Sequence, residues 1–415
     1  MSTFPAEIIE KFVFHINEDT ERINTLRSCI LVSQTWYQIA QPFVYRRMSL
    51  EVDDEDEVKS VVDLLSNHPH IRTYIHHLVI VGLLDFAATA FNLGSLPSLR
   101  SLHIQSRSGP RGEKYSMTED PDLAKSIYPI MGSQFLTSLQ MSHVHDVPAQ
   151  LLRQCVALQA LAIRHTTFSR NSETNVEQQI ALKRLVISNT RHISVEDVND
   201  TVTWLLSPRS PFVFSQLETY MGLHDNEDPQ VSYEAQCKFI SHVSPSLKTI
   251  LIIPPPSSTY RSYRLRDLQN SLDSLEPQKL QNVTSITTVA RQNPRNPSDL
   301  PWLITLLSLL PRPEILHDLT ILCWLHLSDL KEVDLDRHSE KWSGLDALLT
   351  HFHHLRRVHL ECYTGRNDTI TRDRVPWLLS ALPRLNERGI LSITDDFSMS
   401  TDEVIEELEQ RFMHQ

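Results

Sequence analysis

One pattern recurs along most of the chain and limits what it can fold into: Leu-x-x-Leu-x-Ile, each copy preceded by a helix-like stretch. The clearest copies are Ile75/Leu78/Ile80, Leu99/Leu102/Ile104, Leu136/Leu139/Met141, Leu158/Leu161/Ile163, Leu182/Leu185/Ile187, Leu247/Ile250/Ile252, Leu316/Leu319/Ile321 and Leu355/Val358/Leu360. Leu217/Tyr220 and Val283/Ile286 are weaker members, and Ile390-Leu391-Ser392-Ile393 reads as a last strand. The last two anchors of each copy lie two residues apart and therefore share one face of a strand. The stretches before them also echo one another: Pro301-Trp302-Leu303 through Leu310-Pro311 resembles Pro376-Trp377-Leu378 through Leu382-Pro383. Each helix–strand unit has an apolar face that it cannot bury alone, and stacking neighbours joins those faces into one core. Strands alternating with helices at this spacing predict an α/β fold with a parallel sheet.

The array resembles leucine-rich repeats, whose units run about 20–29 residues. Here the spacing ranges over roughly 22 to 39 residues, so the array is irregular. In that family an Asn or Cys beyond the last strand anchor bonds the turn. The matching positions here are Arg107, Val144, Thr166, Thr190 and Tyr363, so the asparagine ladder is missing. With nine glycines in the whole chain, tight uniform turns are not expected. Loops are expected at 107–114, 171–178, 224–229, 254–258 and 293–297, where Gly, Pro, Asn and Ser cluster.

The chain has 415 residues, 40% of them hydrophobic and 22% charged, which suits a large folded core and excludes a disordered chain. A net charge of −12 argues against nucleic-acid binding, which needs a basic footprint. The longest apolar run, Trp302 to Leu310, is too short to span a bilayer. Glu7 and Glu10 fall where the apolar part of a signal peptide would lie, so no membrane association is expected. The five scattered cysteines form no Cys-x-x-Cys pair, which predicts reduced thiols and a cytoplasmic or nuclear protein.

Ahead of the repeats, residues 5–48 read as three helices. Ile8, Ile9, Phe12, Val13 and Ile16 recur at helical spacing, and Glu7 complements the positive end of a helix dipole. Asp19 or Thr20 can cap a second helix, and Val32 to Tyr45 supplies a third, with an interruption expected at Pro42. The segment resembles an F-box, the module that docks a chain onto the Skp-type adaptor of a cullin–RING ubiquitin ligase. The resemblance rests on Phe4-Pro5, Glu7-Ile8-Ile9, Leu31-Val32-Ser33-Gln34-Thr35-Trp36 and Pro42-Phe43-Val44-Tyr45. It covers about a tenth of the chain. Phe4 replaces the usual Leu, Ser33 the common Cys, and Thr35 a residue often basic. The resemblance implies that Pro5, Ile8 and Ile9 contact the adaptor. It also implies that Leu31, Val32 and Trp36 fill the helical core and reach the same interface.

The organisation expected is therefore an F-box over 1–50, an acidic linker over 51–58 whose charges also suit a first helical turn, an irregular leucine-rich-repeat-like solenoid over 59–400, and an amphipathic helix over 401–415 capping the open end. Polar residues near the strand ends, His103, Gln105, His143, Arg164, His165 and Glu361, are candidates to line the inner strand face and hold a protein target. The cluster His351, His353, His354, His359 and Cys362 is the nearest approach to a metal site, but a regular strand puts His359 and Cys362 on opposite faces. No nucleophile elbow, phosphate-binding glycine loop or RING-like cysteine spacing is present, and neither a cofactor nor a metal is expected. The leading expectation is a non-catalytic substrate receptor of a ubiquitin ligase. An interaction scaffold of the same fold that does not support ubiquitination stays open beside it, and a stand-alone α/β enzyme is a distant third.

Overall fold

In the computed structural model, the residues described are 5–16, 22–82, 93–106, 115–117, 121–169, 179–189, 195–224, 229–254, 272–292, 300–325, 332–363, 374–395 and 401–414. Two compact units divide the chain: 1–180 with 208–211, and 181–207 with 212–415. Phe4, Asp19, Thr20, Arg107, Thr190 and most of the expected loop positions lie outside the described residues.

The first unit opens with helices α1 (Ala6–Ile16), α2 (Arg22–Cys29) and α3 (Gln34–Val44). Ile9 and Val13, one turn apart, meet Leu26, Cys29 and Ala40 in a small core, and Trp36, Ile39, Phe43 and Val44 pack against it. Ser33 caps α3 by accepting a hydrogen bond from the Trp36 N–H. Pro42 does not interrupt α3 as expected. It sits in the last turn, and the Tyr45 N–H still reaches the Gln41 carbonyl. Proline there removes one donor near a helix end, which costs far less than it would mid-helix.

The chain then enters a strand at once. Strand β1 (Arg47–Glu51) pairs in parallel with β2 (His77–Val81), so the acidic run is not a free linker. Glu51 ends the strand, and the Asp54 carboxylate caps helix α4 (Glu55–Asn67) by accepting from the N–H groups of Asp56 and Glu57, each at 3.0 Å. Glu55, Asp56 and Glu57 fill the first turn, where the helix dipole favours negative charge.

Strands β3 (Ser101–Gln105), β4 (Ser138–Ser142) and β5 (Ala160–Arg164) continue the parallel sheet in chain order. The repeated anchors line up in register. Met48, Leu78, Leu102, Leu139 and Leu161 form one row; Leu50, Ile80, Ile104, Met141 and Ile163 form the next. Burial of each such side chain contributes about 1.5–3 kcal/mol, so the rows form the spine of the unit. Helices α5 (Pro121–Met131) and α6 (Ala149–Arg153) occupy the connections.

The second unit repeats the scheme with β6 (Arg184–Asn189), α7 (Val195–Leu205), β7 (Thr219–His224), α8 (Pro229–Val243), β8 (Thr249–Ile252), β9 (Ser285–Gln292), α9 (Leu300–Ser308), β10 (Asp318–Leu325), α10 (Glu332–Leu349), β11 (Arg357–Tyr363), α11 (Arg374–Ala381), α12 (Pro383–Glu387), β12 (Leu391–Asp395) and α13 (Thr401–His414). Its strands are parallel and neighbours in chain order. The weaker copies keep register: Leu185, Tyr220, Ile250, Ile286, Leu319 and Val358 form one row.

Backbone bonds explain how so irregular a sequence repeats. The first anchor is set by a tight turn: Leu99 N–H bonds Leu96 O, Leu158 bonds Cys155 O, and Leu355 bonds Phe352 O. The next two N–H groups then share one carbonyl of the preceding unit. Thr137 and Ser138 share Arg100 O, and Arg356 and Arg357 share His317 O. These contacts need no particular side chain, so the ladder survives sequence drift.

Helix α13 does not cap the end strand β12. It packs on β6 and β7. Arg184 donates to the Met413 carbonyl at 2.8 Å, and the Ser188 hydroxyl bonds the Glu409 carboxylate.

Candidate functional site

Three surfaces bear on function, and the most unusual is at the N-terminus. Among the described residues, eight large hydrophobic side chains are exposed, and five belong to α1 or to the α2–α3 turn: Ile8 52%, Phe12 52%, Phe14 55%, Leu31 84% and Val32 64%. Concentrated apolar exposure of this kind marks interaction surfaces, whereas scattered single residues do not. Ile8 and Phe12 stand one helical turn apart, and the Phe12 ring meets Trp36 edge-on at 5.6 Å. The Leu31 and Val32 N–H groups bond Ser28 O and Cys29 O at 3.1 Å, and the cap at Ser33 follows directly. The turn is therefore held while its two side chains project into solvent.

The six residues singled out for adaptor contact do not share one environment. Pro5, Ile8, Leu31 and Val32 are exposed, and Trp36 is half-buried. Ile9 is 2% exposed and belongs to the core, because it lies beside Val13 on the inward side of α1. Leu31 and Val32 do not fill the core as expected, since α2 ends before them and the turn carries them outward. Sequence reasoning missed that Phe12 and Phe14 are exposed. The signal for Phe12 was its i, i+4 relation to Ile8, which separates a second apolar stripe from the core stripe of Ile9 and Val13.

The second surface is the strand face of the first unit that carries no anchors. Its rows are Ser49, Val79, His103, Gln140 and Ala162, and then Glu51, Val81, Gln105, Ser142 and Arg164. His103, Gln105 and Arg164 thus share one face, as the alternation predicts. A ring nitrogen of His103 lies 3.1 Å from the Ser142 hydroxyl. Burial, and then the positive charge of Arg164, push the His103 imidazole down to about 4, so it is neutral at physiological pH.

His143 and His165 occupy a different position. Each follows a strand in the left-handed region, with φ 59° and 51°, and their rings stack at 4.5 Å and 25°. His165 is buried. These residues shape the turns that leave β4 and β5. Beside them the Thr166 hydroxyl reaches Met141 O at 3.2 Å and Arg164 O at 3.0 Å.

The third surface involves Glu361, which is not open to a target. It is 6% exposed and accepts from the Tyr363 hydroxyl and from Arg411 of α13, both at 2.7 Å, with a His359 ring nitrogen at 3.2 Å. Burial and the adjacent Glu361 carboxylate push the Tyr363 phenol up. His359 also bonds the Ser392 and Thr394 hydroxyls, while Cys362 on the opposite face neighbours Cys323 in the core. All five cysteines are free and buried, and burial pushes the Cys155 thiol up to about 12. Among the described residues no helix is long and apolar enough to cross a membrane.

The sequence matches no family model and no curated protein.

Proposed function

We propose that the chain is a substrate receptor of a cullin–RING ubiquitin ligase. Its N-terminal helices act as an F-box that docks on a Skp-type adaptor, and its leucine-rich-repeat-like units present a protein target. The single observation that carries this reading is the apolar surface of Ile8, Phe12, Leu31 and Val32 on a three-helix module that already has its own core. Those side chains gain nothing for folding by being outside. A partner that covers them would gain roughly 25 cal/mol for each Å² of apolar area removed from water. In this role the chain performs no chemistry. It holds a target near a loaded enzyme supplied by other subunits, which is catalysis by proximity.

The test is co-expression with a Skp-type adaptor and capture of the complex, beside a Leu31→Asp, Val32→Asp variant. Both positions are exposed, so the variant keeps its fold. The expected result is a stable wild-type complex and at least a tenfold loss in the variant. Equal capture of both, or no capture of folded wild-type chain, overturns the reading.

A further inference from the structure

Each unit carries a polar row at the N-terminal edge of its strands, two residues ahead of the register rows that begin at Met48 and at Leu185. In the first unit this row is Arg46, His76, Arg100 and Thr137; in the second it is Lys183, Glu218, Lys248 and Thr284. Backbone bonds fix both rows alike. His76 N–H bonds Arg46 O at 3.0 Å, and Arg100 N–H bonds His76 O at 2.8 Å. In the same way Glu218 N–H bonds Lys183 O at 2.9 Å, and Lys248 N–H bonds Glu218 O at 2.8 Å. The fourth members also agree: the Thr137 and Thr284 hydroxyls donate to the Arg100 and Lys248 carbonyls, each at 3.3 Å.

The rows differ at the second position. In the second unit a carboxylate stands between two cations. Glu218 pairs with Lys248 at 2.6 Å, and that hydrogen bond, with the charges of Lys248 and Lys183, holds its carboxyl below the usual range. In the first unit a histidine stands there instead. Burial, and then the positive charges of Arg46 and Arg100, push the His76 imidazole down. Its Nδ1 is buried and has no hydrogen-bond partner among the described residues. No carboxylate among the described residues pairs with Arg46, His76 or Arg100. Two arginines flanking an imidazole with no acid between them form a local excess of positive charge in a chain of net charge −12. Arg46 and His76 are half-buried and Arg100 is exposed, so the edge is open to a partner.

We propose that the edge formed by Arg46, His76 and Arg100 docks an acidic segment of a partner protein, one of whose carboxylates takes the place that Glu218 fills in the second unit. The chain itself shows which anion suits this position: a carboxylate between cations on neighbouring strands. Arginines stand where the second unit has lysines. A planar guanidinium sets two parallel N–H bonds on one carboxylate, which favours an incoming acid of defined orientation. A single exposed ion pair adds little, so the segment carries several acidic residues. The edge then selects the partner and its register more than it tightens the complex. The proposal does not rest on adaptor docking, and its test contains no adaptor, so the two readings fail separately.

The test is fluorescence anisotropy of a labelled oligoglutamate peptide with the full chain at low salt, where exposed charges are least screened. His76→Glu gives the first unit its own central carboxylate, as in the second, and is expected to weaken peptide binding at least tenfold. The double variant Arg46→Gln, Arg100→Gln is expected to do the same. Folded wild-type chain that leaves the peptide free, or variants that bind it as wild type does, overturn the proposal. Should His76→Glu fail to fold, the double variant decides alone. A phosphoserine peptide and an oligothymidylate, each matched in charge, are expected to bind no more tightly than oligoglutamate. Tighter binding of the phosphopeptide by tenfold or more assigns the edge to phosphate and overturns the carboxylate. Tighter binding of the oligonucleotide overturns the choice of a protein partner.

Discussion

The Thr166 hydroxyl reaches the Met141 carbonyl at 3.2 Å, joining the turn after one strand to the end of the strand before it. Thr166 is buried. Its replacement by valine keeps the shape and removes the donor, leaving a buried carbonyl less well satisfied. We expect Thr166→Val to lower stability by about 1 kcal/mol in urea unfolding, and Thr166→Ser to keep most of it.

Ile8 and Ile9 are adjacent in sequence and opposite in consequence. Ile9 is in the core and Ile8 is 52% exposed. Ile9→Asp buries an unpaired charge and is expected to destabilise the N-terminal helices by about 3–5 kcal/mol. Ile8→Asp is expected to leave the thermal midpoint nearly unchanged while abolishing adaptor capture. Melts of both variants beside the capture assay separate a folding role from a docking role.

His103 supplies a pH dependence whose sign is set by its lowered value of about 4. The unfolded chain takes up the proton near pH 6.5, before the folded chain does. Stability is therefore complete above about pH 6.5 and is lost as pH falls from there towards about 4. His103→Gln keeps a polar side chain without the titration. Thermal midpoints measured across that range should fall less steeply in the variant than in wild type.

Asp54 caps α4 through two N–H groups. Asp54→Ala should cost about 1 kcal/mol, and Asp54→Ser should recover most of it. Neutralising Glu55, within the first turn but outside the cap bonds, should cost only a few tenths and should be screened by salt. Comparing the variants at low and high ionic strength distinguishes the cap from the dipole.

The strand positions were legible because burial of one face imposes a period of two, and a shift by one residue would expose every anchor. Even Tyr220 and Ile286, poor matches to the pattern, stand in the expected row. Strand β1 was missed although Tyr45-x-x-Met48-x-Leu50 fits the pattern, because the acidic residues that follow read as a linker. The same acidic run fits a first helical turn equally well, and Glu55, Asp56 and Glu57 do fill one behind the Asp54 cap.

What the sequence determined by itself was periodic: the α/β class, the anchor rows, the helical N-terminus and the face shared by His103, Gln105 and Arg164. Such patterns follow from backbone geometry, which places every second or every third and fourth side chain on one side. The tertiary structure alone decided which residues of a shared pattern meet solvent. It put Ile9 inside and Ile8 outside, turned Leu31 and Val32 away from the core, and laid α13 over β6 and β7 so that Glu361 pairs with Arg411. These outcomes depend on contacts between residues far apart in the chain, and local periodicity carries no information about which distant side chain will arrive.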